Sequence, residues 1–246
     1  MNRETASQMG VNKTGIGLSP IDSRAMLEAA RATHTLPDGH HYDEWRVRWA
    51  REAASTIIGS VPPPSTIKGM MKSAADAITG KRPSVLVDQL GARLAFERTG
   101  ARLYEAVLAK VDSTMMGGAI RSTLERFHEQ ELRHFQIVRS ALQALGADET
   151  AQTPAADIAG VESAGLLQVA SDPRTSALHC LDALLTAELK DWESWSMLTA
   201  LADSLGRSEI LPDFRLALSE EEVHLDTVRK WVRGQVETAA KRSAGD

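Results

Sequence analysis

From about residue 84 onward, apolar residues recur every three and four positions, the spacing of helices with one buried face. No stretch keeps the two-residue alternation of a half-buried strand. Four long helices are predicted. The first, about 84–111, follows Pro83 and carries Leu90, Leu94, Ala101, Tyr104, Leu108 and Val111 on one stripe before Asp112 and Ser113, both turn formers. The second, about 115–145, carries Ile120, Leu124, Phe127, Val138, Leu142 and Leu145 and stops at Gly146, a natural left-handed cap. The third, about 173–205, opens on Asp172-Pro173 and ends at Gly206. The fourth, about 209–240, accommodates Pro212 because a first helical turn has no internal hydrogen bond to lose. Residues 147–172 form a crossing segment with a short helix near VESAGLLQVA.

Residues 1–82 are of a different kind. Residues 1–20 read as an irregular tail, followed by short helices in DSRAMLEAARAT, YDEWRVRWAREAASTI and STIKGMMKSAADAITG, the last entered after Pro62-Pro63-Pro64 and stopped by Gly80. None is long enough to be stable alone, so the sequence predicts that they pack on the main body or on another subunit in a homo-oligomer. The division is therefore a helical N-terminal extension, 1–82, and an all-α four-helix bundle, 83–246. Charge follows the same boundary, with a net +3 in 1–82 and -8 in 83–246.

Composition narrows the chemistry. The one cysteine, Cys180, among 246 residues excludes a disulfide framework and any multi-cysteine metal or iron–sulfur site. No apolar run reaches the roughly 18–20 residues of a membrane span. The opening MNRETASQMG lacks a signal-peptide core, so a cytoplasmic protein with no membrane partner is expected. A net charge of -5 and the lack of a basic stripe interleaved with aromatics argue against nucleic acid.

Carboxylates interrupt every apolar stripe. Burying a charge is costly unless something neutralises it. The seam Leu90–Leu94–Ala101–Tyr104 turns Glu97 inward, and Leu124–Phe127–Val138 does the same for Glu131 and His134, a Glu-x-x-His pair one turn apart. In the third helix Leu181, Leu184, Trp195 and Leu198 bring Glu188 to the core side. In the fourth, Phe214 and Val228 bring in Glu221 and His224, a second Glu-x-x-His. Two helices joined by a short turn bring residues equidistant from that turn to one height. The midpoint of Glu97 and Glu131 falls in DSTMMGG, and that of Glu188 and Glu221 in ADSLGRS, both predicted turns. The pattern Glu, then Glu-x-x-His, thus occurs twice. A third Glu-x-x-His, Glu125/His128, lies off the seam with no partner at matching height and reads as surface.

Four inward carboxylates balance two divalent cations, and two neutral imidazoles add nitrogen donors. Oxygen and imidazole ligation suits iron or manganese, and a two-metal site leaves positions open for a small oxidant. Glu131 and either Glu188 or Glu221 are the candidate bridging ligands, with Glu97 terminal.

This arrangement resembles the ferritin-like di-iron carboxylate superfamily, the ferritin, bacterioferritin and rubrerythrin type of bundle. There an up-down-down-up four-helix bundle supplies Glu, Glu-x-x-His, Glu and Glu-x-x-His in that order. The resemblance covers about 84–240, with ERTGARLYE around Glu97 and EQELRHF around Glu131 and His134. It implies a site of Glu97, Glu131, His134, Glu188, Glu221 and His224 holding two iron ions, with manganese as the other metal. It further implies an oxidoreductase that reacts with dioxygen or hydrogen peroxide and draws on an external electron donor. The extension departs from compact ferritins, and one cysteine cannot build a rubrerythrin-type iron–sulfur module, which places the chain on a separate branch. The rival readings are a storage ferroxidase assembled into a shell, and a structural or interaction bundle with a vestigial site.

Other residues have plainer readings. Tyr104, Trp192 and Trp195 lie within two turns of the carboxylates, and core packing is their first reading, electron relay the second. His40 and His41 read as loop residues rather than an accessory iron site. Cys180 reads as a small buried residue, and Lys68, Lys72, Lys81 and Arg82 as a solvated face.

Overall fold

The structure, a computed structural model, describes residues 20–32, 39–53, 59–65, 83–112 and 118–241. Every regular element among them is an α-helix: α1 (Pro20–Ala32), α2 (Gly39–Ala53), α3 (Pro83–Asp112), α4 (Gly118–Ala144), α5 (Pro154–Ser171), α6 (Ala177–Ser204) and α7 (Leu211–Lys241). The expected third helix of the extension, the His40 and His41 side chains, and the 68–82 basic group lie outside the described residues. No helix is long and apolar enough to cross a membrane among those described.

The chain divides into two compact units, Met1–Ile58 and Gly59–Asp246. The first contains α1 and α2. On α2, Trp45 and Trp49 sit one turn apart with rings stacked 6.0 Å between centroids and 4° from parallel, and both are about half exposed.

In the second unit the long helices stop where the sequence predicts. Gly146 (φ 76°) and Gly206 (φ 67°) take the left-handed conformation that a side chain disfavours. The following amides reach back to the last turn, Ala147 N–H to Leu142 O and Arg207 N–H to Ala202 O, each at 2.9 Å. The start of α6 differs from expectation. Asp172 closes α5, and Lys110 donates to the Asp172 and Thr175 carbonyls at 2.9 and 3.1 Å, holding 172–175 as a turn. Helix α6 begins instead at the Ser176 cap, with His179 completing a capping box.

The crossing segment is more ordered than the sequence suggests. Helix α5 has 18 residues, opened by Thr153 as cap and Pro154 in the first turn. It packs on α3 and α6. Its N-terminus seats closely on α3 because Gly91 lacks a side chain: a Cβ there would collide with Thr153 Oγ1. Thr153 Oγ1 also donates to Asp88 O at 3.2 Å, and the Asp88 carboxylate accepts the Ala155 amide at 2.9 Å.

Two apolar clusters make up the core. One joins Leu86, Leu90 and Leu94 of α3 to Val138 and Leu142 of α4, Trp195 and Leu198 of α6, and Leu211 and Phe214 of α7. The other joins Leu103, Tyr104 and Val107 of α3 to Leu124 and Phe127 of α4, Leu181 and Leu184 of α6, and Val228 of α7. The early halves of α3 and α7 thus meet the late halves of α4 and α6 in the first cluster, and the second reverses this. A polar layer is left between them, at the middle of all four helices.

Candidate metal centre

That layer contains all six residues singled out in the sequence. Glu97, Glu131, His134, Glu188, Glu221 and His224 are fully buried. They form two overlapping groups, Glu97–Glu131–His134–Glu221 and Glu131–Glu188–Glu221–His224. Within each group one potential ligand atom per residue lies within 4.8 Å of every other. Glu131 and Glu221 belong to both groups, Glu97 and Glu188 to one each. Of the two partners considered for Glu131 as a bridge, Glu221 is the one that shares both groups with it.

Hydrogen bonding sorts the carboxylates the same way. Glu188 Oε1 accepts the Tyr104 hydroxyl at 2.6 Å, and Glu97 Oε1 accepts Trp195 Nε1–H at 3.0 Å. In each, the remaining Oε2 is buried without a hydrogen-bond partner. Both oxygens of Glu131 and of Glu221 are buried without one. The Nδ1 atoms of His134 and His224 complete the set. Such atoms are expensive to leave unsatisfied. Each group therefore holds one imidazole nitrogen, one oxygen from its own glutamate and oxygens from the two shared glutamates, a donor set that fits a divalent cation.

Outer partners aim both rings. His134 Nε2 lies 2.8 Å from Glu220 Oε2, and Arg133 pairs with the same carboxylate at 2.8 Å. His224 Nε2 lies 3.0 Å from Gln130 Oε1. An acceptor on Nε2 keeps the proton there and leaves Nδ1 free for the cluster. Across the cluster His134 Nδ1 is 2.7 Å from Glu221 Oε1, and His224 Nδ1 is 3.3 Å from Glu131 Oε1.

The buried groups shift one another's protonation. Burial pushes the Glu97 and Glu188 pKa values up, and burial together with the Glu221 charge raises Glu131 to about 7. Burial alone would lower His134 and His224, but the facing carboxylates outweigh it and lift them to about 11 and about 12. The same imidazoles hold Glu221 well below the ordinary carboxylate range, against the effect of burial.

The sequence did not single out Arg93, Asp191, Glu220, Gln130 or Gly100. Arg93, almost wholly buried, has Nε 2.9 Å from Glu97 Oε1 and pairs with Asp191 through Nη2. Burial raises the Asp191 pKa, partly countered by Arg93. A signal for both was present: Arg93 stands one turn before Glu97 on its stripe, and Asp191 follows Glu188 at the spacing His takes in the other two helices. Gly100 gives Glu131 its room, since a Cβ there would lie 2.9 Å from Glu131 Oε2. Trp195 and Tyr104 pack in the core and hydrogen-bond the cluster, whereas Trp192 is 37% exposed. Glu125 and His128 are half-buried rather than fully solvated, facing Arg121 and Glu105 instead of the cluster. Cys180 is fully buried.

Comparison with protein-family models, with curated proteins and with solved structures finds no match to this chain.

Proposed function

We propose that α3, α4, α6 and α7 form a ferritin-like up-down-down-up bundle holding two metal ions, iron or manganese, and that the protein is an oxidoreductase consuming dioxygen or hydrogen peroxide. The observation that carries this reading is the excess of buried carboxylate oxygens over the two imidazoles they meet, converging in two groups around Glu131 and Glu221. A core of paired ions needs no such excess, because buried charges without counter-charges cost several kcal/mol each, of the order of 3–5. The way each core cluster takes opposite halves of neighbouring helices supports the bundle topology.

Each residue has a distinct part in this reading. Glu131 and Glu221, common to both groups, would hold both ions. Glu97 and Glu188 would contribute Oε2, their other oxygens already committed to Trp195 and Tyr104. His134 and His224 would contribute Nδ1, oriented by Glu220 and Gln130. A bound pair of iron or manganese ions would supply the redox chemistry for reducing a small oxidant. The chain's own contribution is to exclude water with the two apolar clusters and to fix six donors before the metals arrive. Turnover would then require an external electron donor.

Anaerobic loading with ferrous iron tests this. The expected result is two ions per chain, with ferrous iron and dioxygen consumed together on mixing. Glu131→Ala, which removes a donor common to both groups, is expected to abolish both. Fewer than two ions per chain, or oxidation unaffected by that change, contradicts the reading.

A further inference from the structure

A cavity of about 260 Å³ lies between α3, α5 and α6, outside the carboxylate layer. Ala92 and Phe96 line it from α3, Ile158 and Ala159 from α5, and Met197 and Leu198 from α6. Arg93 belongs to its wall as well and contacts Glu97 on its other side. One side chain therefore separates the cavity from a candidate metal ligand.

The charges around the cavity decide what can occupy it. Glu162, a carboxylate on its wall, is paired with Lys190 at 3.4 Å, and the inner wall carries the Arg93 cation. A metal cation finds no free donor set there. An anion fares no better: the Arg93 nitrogens are buried, and Glu97 and Asp191 already neutralise its charge. Lys190 is half exposed, so solvent weakens its attraction for a second carboxylate. Gln89 and Ser194 add two uncharged polar groups to the wall, and the rest of the lining is apolar, with the Arg93 guanidinium carbon 4.8 Å above the Phe96 ring. An apolar cavity of about 150 Å³ is enough to take a benzene molecule.

We propose that this cavity is a binding site for a small uncharged aromatic molecule, held one side chain from Glu97. Binding follows from the cavity alone and does not depend on the function proposed above. The same geometry makes this face unsuited to admit ferrous ions.

Titration of the full-length protein with three compounds that share one ring tests the site: toluene, benzoate and benzylammonium. Toluene is expected to bind one per chain in metal-free and metal-loaded protein alike, with the two charged compounds weaker by at least about tenfold. Ala92→Leu and Ala159→Leu fill the cavity from opposite helices, and each is expected to weaken toluene by at least about tenfold while circular dichroism and melting remain those of a folded protein. Absence of toluene binding, equal binding of a charged compound, or binding that survives in a folded filled variant overturns the proposal. Metal content of the same samples separates the two readings: toluene binding without metal binding rejects the metal function alone, and two metals without toluene binding reject the cavity site alone.

Discussion

Gly100 and Glu131 face each other across α3 and α4 so closely that a single added carbon at Gly100 would stand 2.9 Å from Glu131 Oε2. Replacing glycine by alanine inside a helix ordinarily stabilises it by up to about 1 kcal/mol. Here the added methyl displaces a carboxylate shared by both donor groups. Gly100→Ala is expected to keep its helical content and to lose at least about tenfold in affinity for both metal ions. Calorimetric titration with manganous ion checks this; unchanged affinity would mean that the Glu131 carboxylate yields to the methyl without loss of binding.

Tyr104 holds Glu188 from the side away from the cluster. Tyr104→Phe removes the donor and leaves Glu188 Oε1 buried and unpaired, a cost of about 1–3 kcal/mol to the metal-free protein. Denaturant unfolding of metal-free protein measures it. A variant as stable as the parent would show that the 2.6 Å bond contributes nothing net.

The Arg93–Asp191 pair is wholly internal, and its halves should behave unequally when removed singly and together. Asp191→Leu leaves Glu97 as the carboxylate in contact with Arg93 and is expected to cost about 1–3 kcal/mol. The double variant Arg93→Met/Asp191→Leu removes both charges and is expected to be more stable than Asp191→Leu alone. A double-mutant cycle by chemical denaturation decides it, and simple additivity of the two losses would contradict the pairing.

Protons and metals compete for the same cluster, with opposite effects as pH rises. Glu131, raised to about 7, binds more protons folded than unfolded between its ordinary value and 7, so its contribution to stability falls as pH climbs through that window. His134 and His224, raised to about 11 and about 12, contribute fully below their unfolded pKa and lose that contribution as pH rises through their folded values. The lowered Glu220 and Glu221, like Asp148, Glu149 and Asp172, act the other way, and at acid pH. Metal-free protein is therefore expected to melt at a higher temperature at pH 5.5 than at pH 8. Saturating metal should reverse that order, because its ligands bind deprotonated. Melting curves at the two pH values, with and without manganous ion, measure both trends; a metal-induced shift that shrinks from pH 5.5 to pH 8 would exclude these carboxylates as the ligands.

The four long helices and the six central residues were legible because each rests on a local rule. Periodicity turned Glu97, Glu131, Glu188 and Glu221 inward, and Gly146 and Gly206 ended α4 and α6 where the chain needs positive φ. Helix α5 was underread as a short helix near VESAGLLQVA because Pro154 sits in its first turn, where proline costs little, and because its seat on Gly91 is a contact between distant parts of the chain. The start of α6 was misplaced because Asp172 serves as the cap of the preceding helix and is held there by Lys110, 62 positions earlier. Arg93, Asp191, Gln130 and Glu220 were missed for a related reason. Their roles depend on which side chain stands opposite, information that a stripe on one helix does not carry.

The central claim is that the buried donors form one site for two neighbouring ions. Manganous ion titrated into metal-free protein and followed by electron paramagnetic resonance measures that directly. The account predicts uptake of two ions per chain, with the isolated-ion sextet replaced by a spin-coupled signal as the second ion binds, and loss of that coupled signal in both Glu131→Ala and Glu221→Ala. An uncoupled sextet at full loading, or no tight uptake, would contradict it.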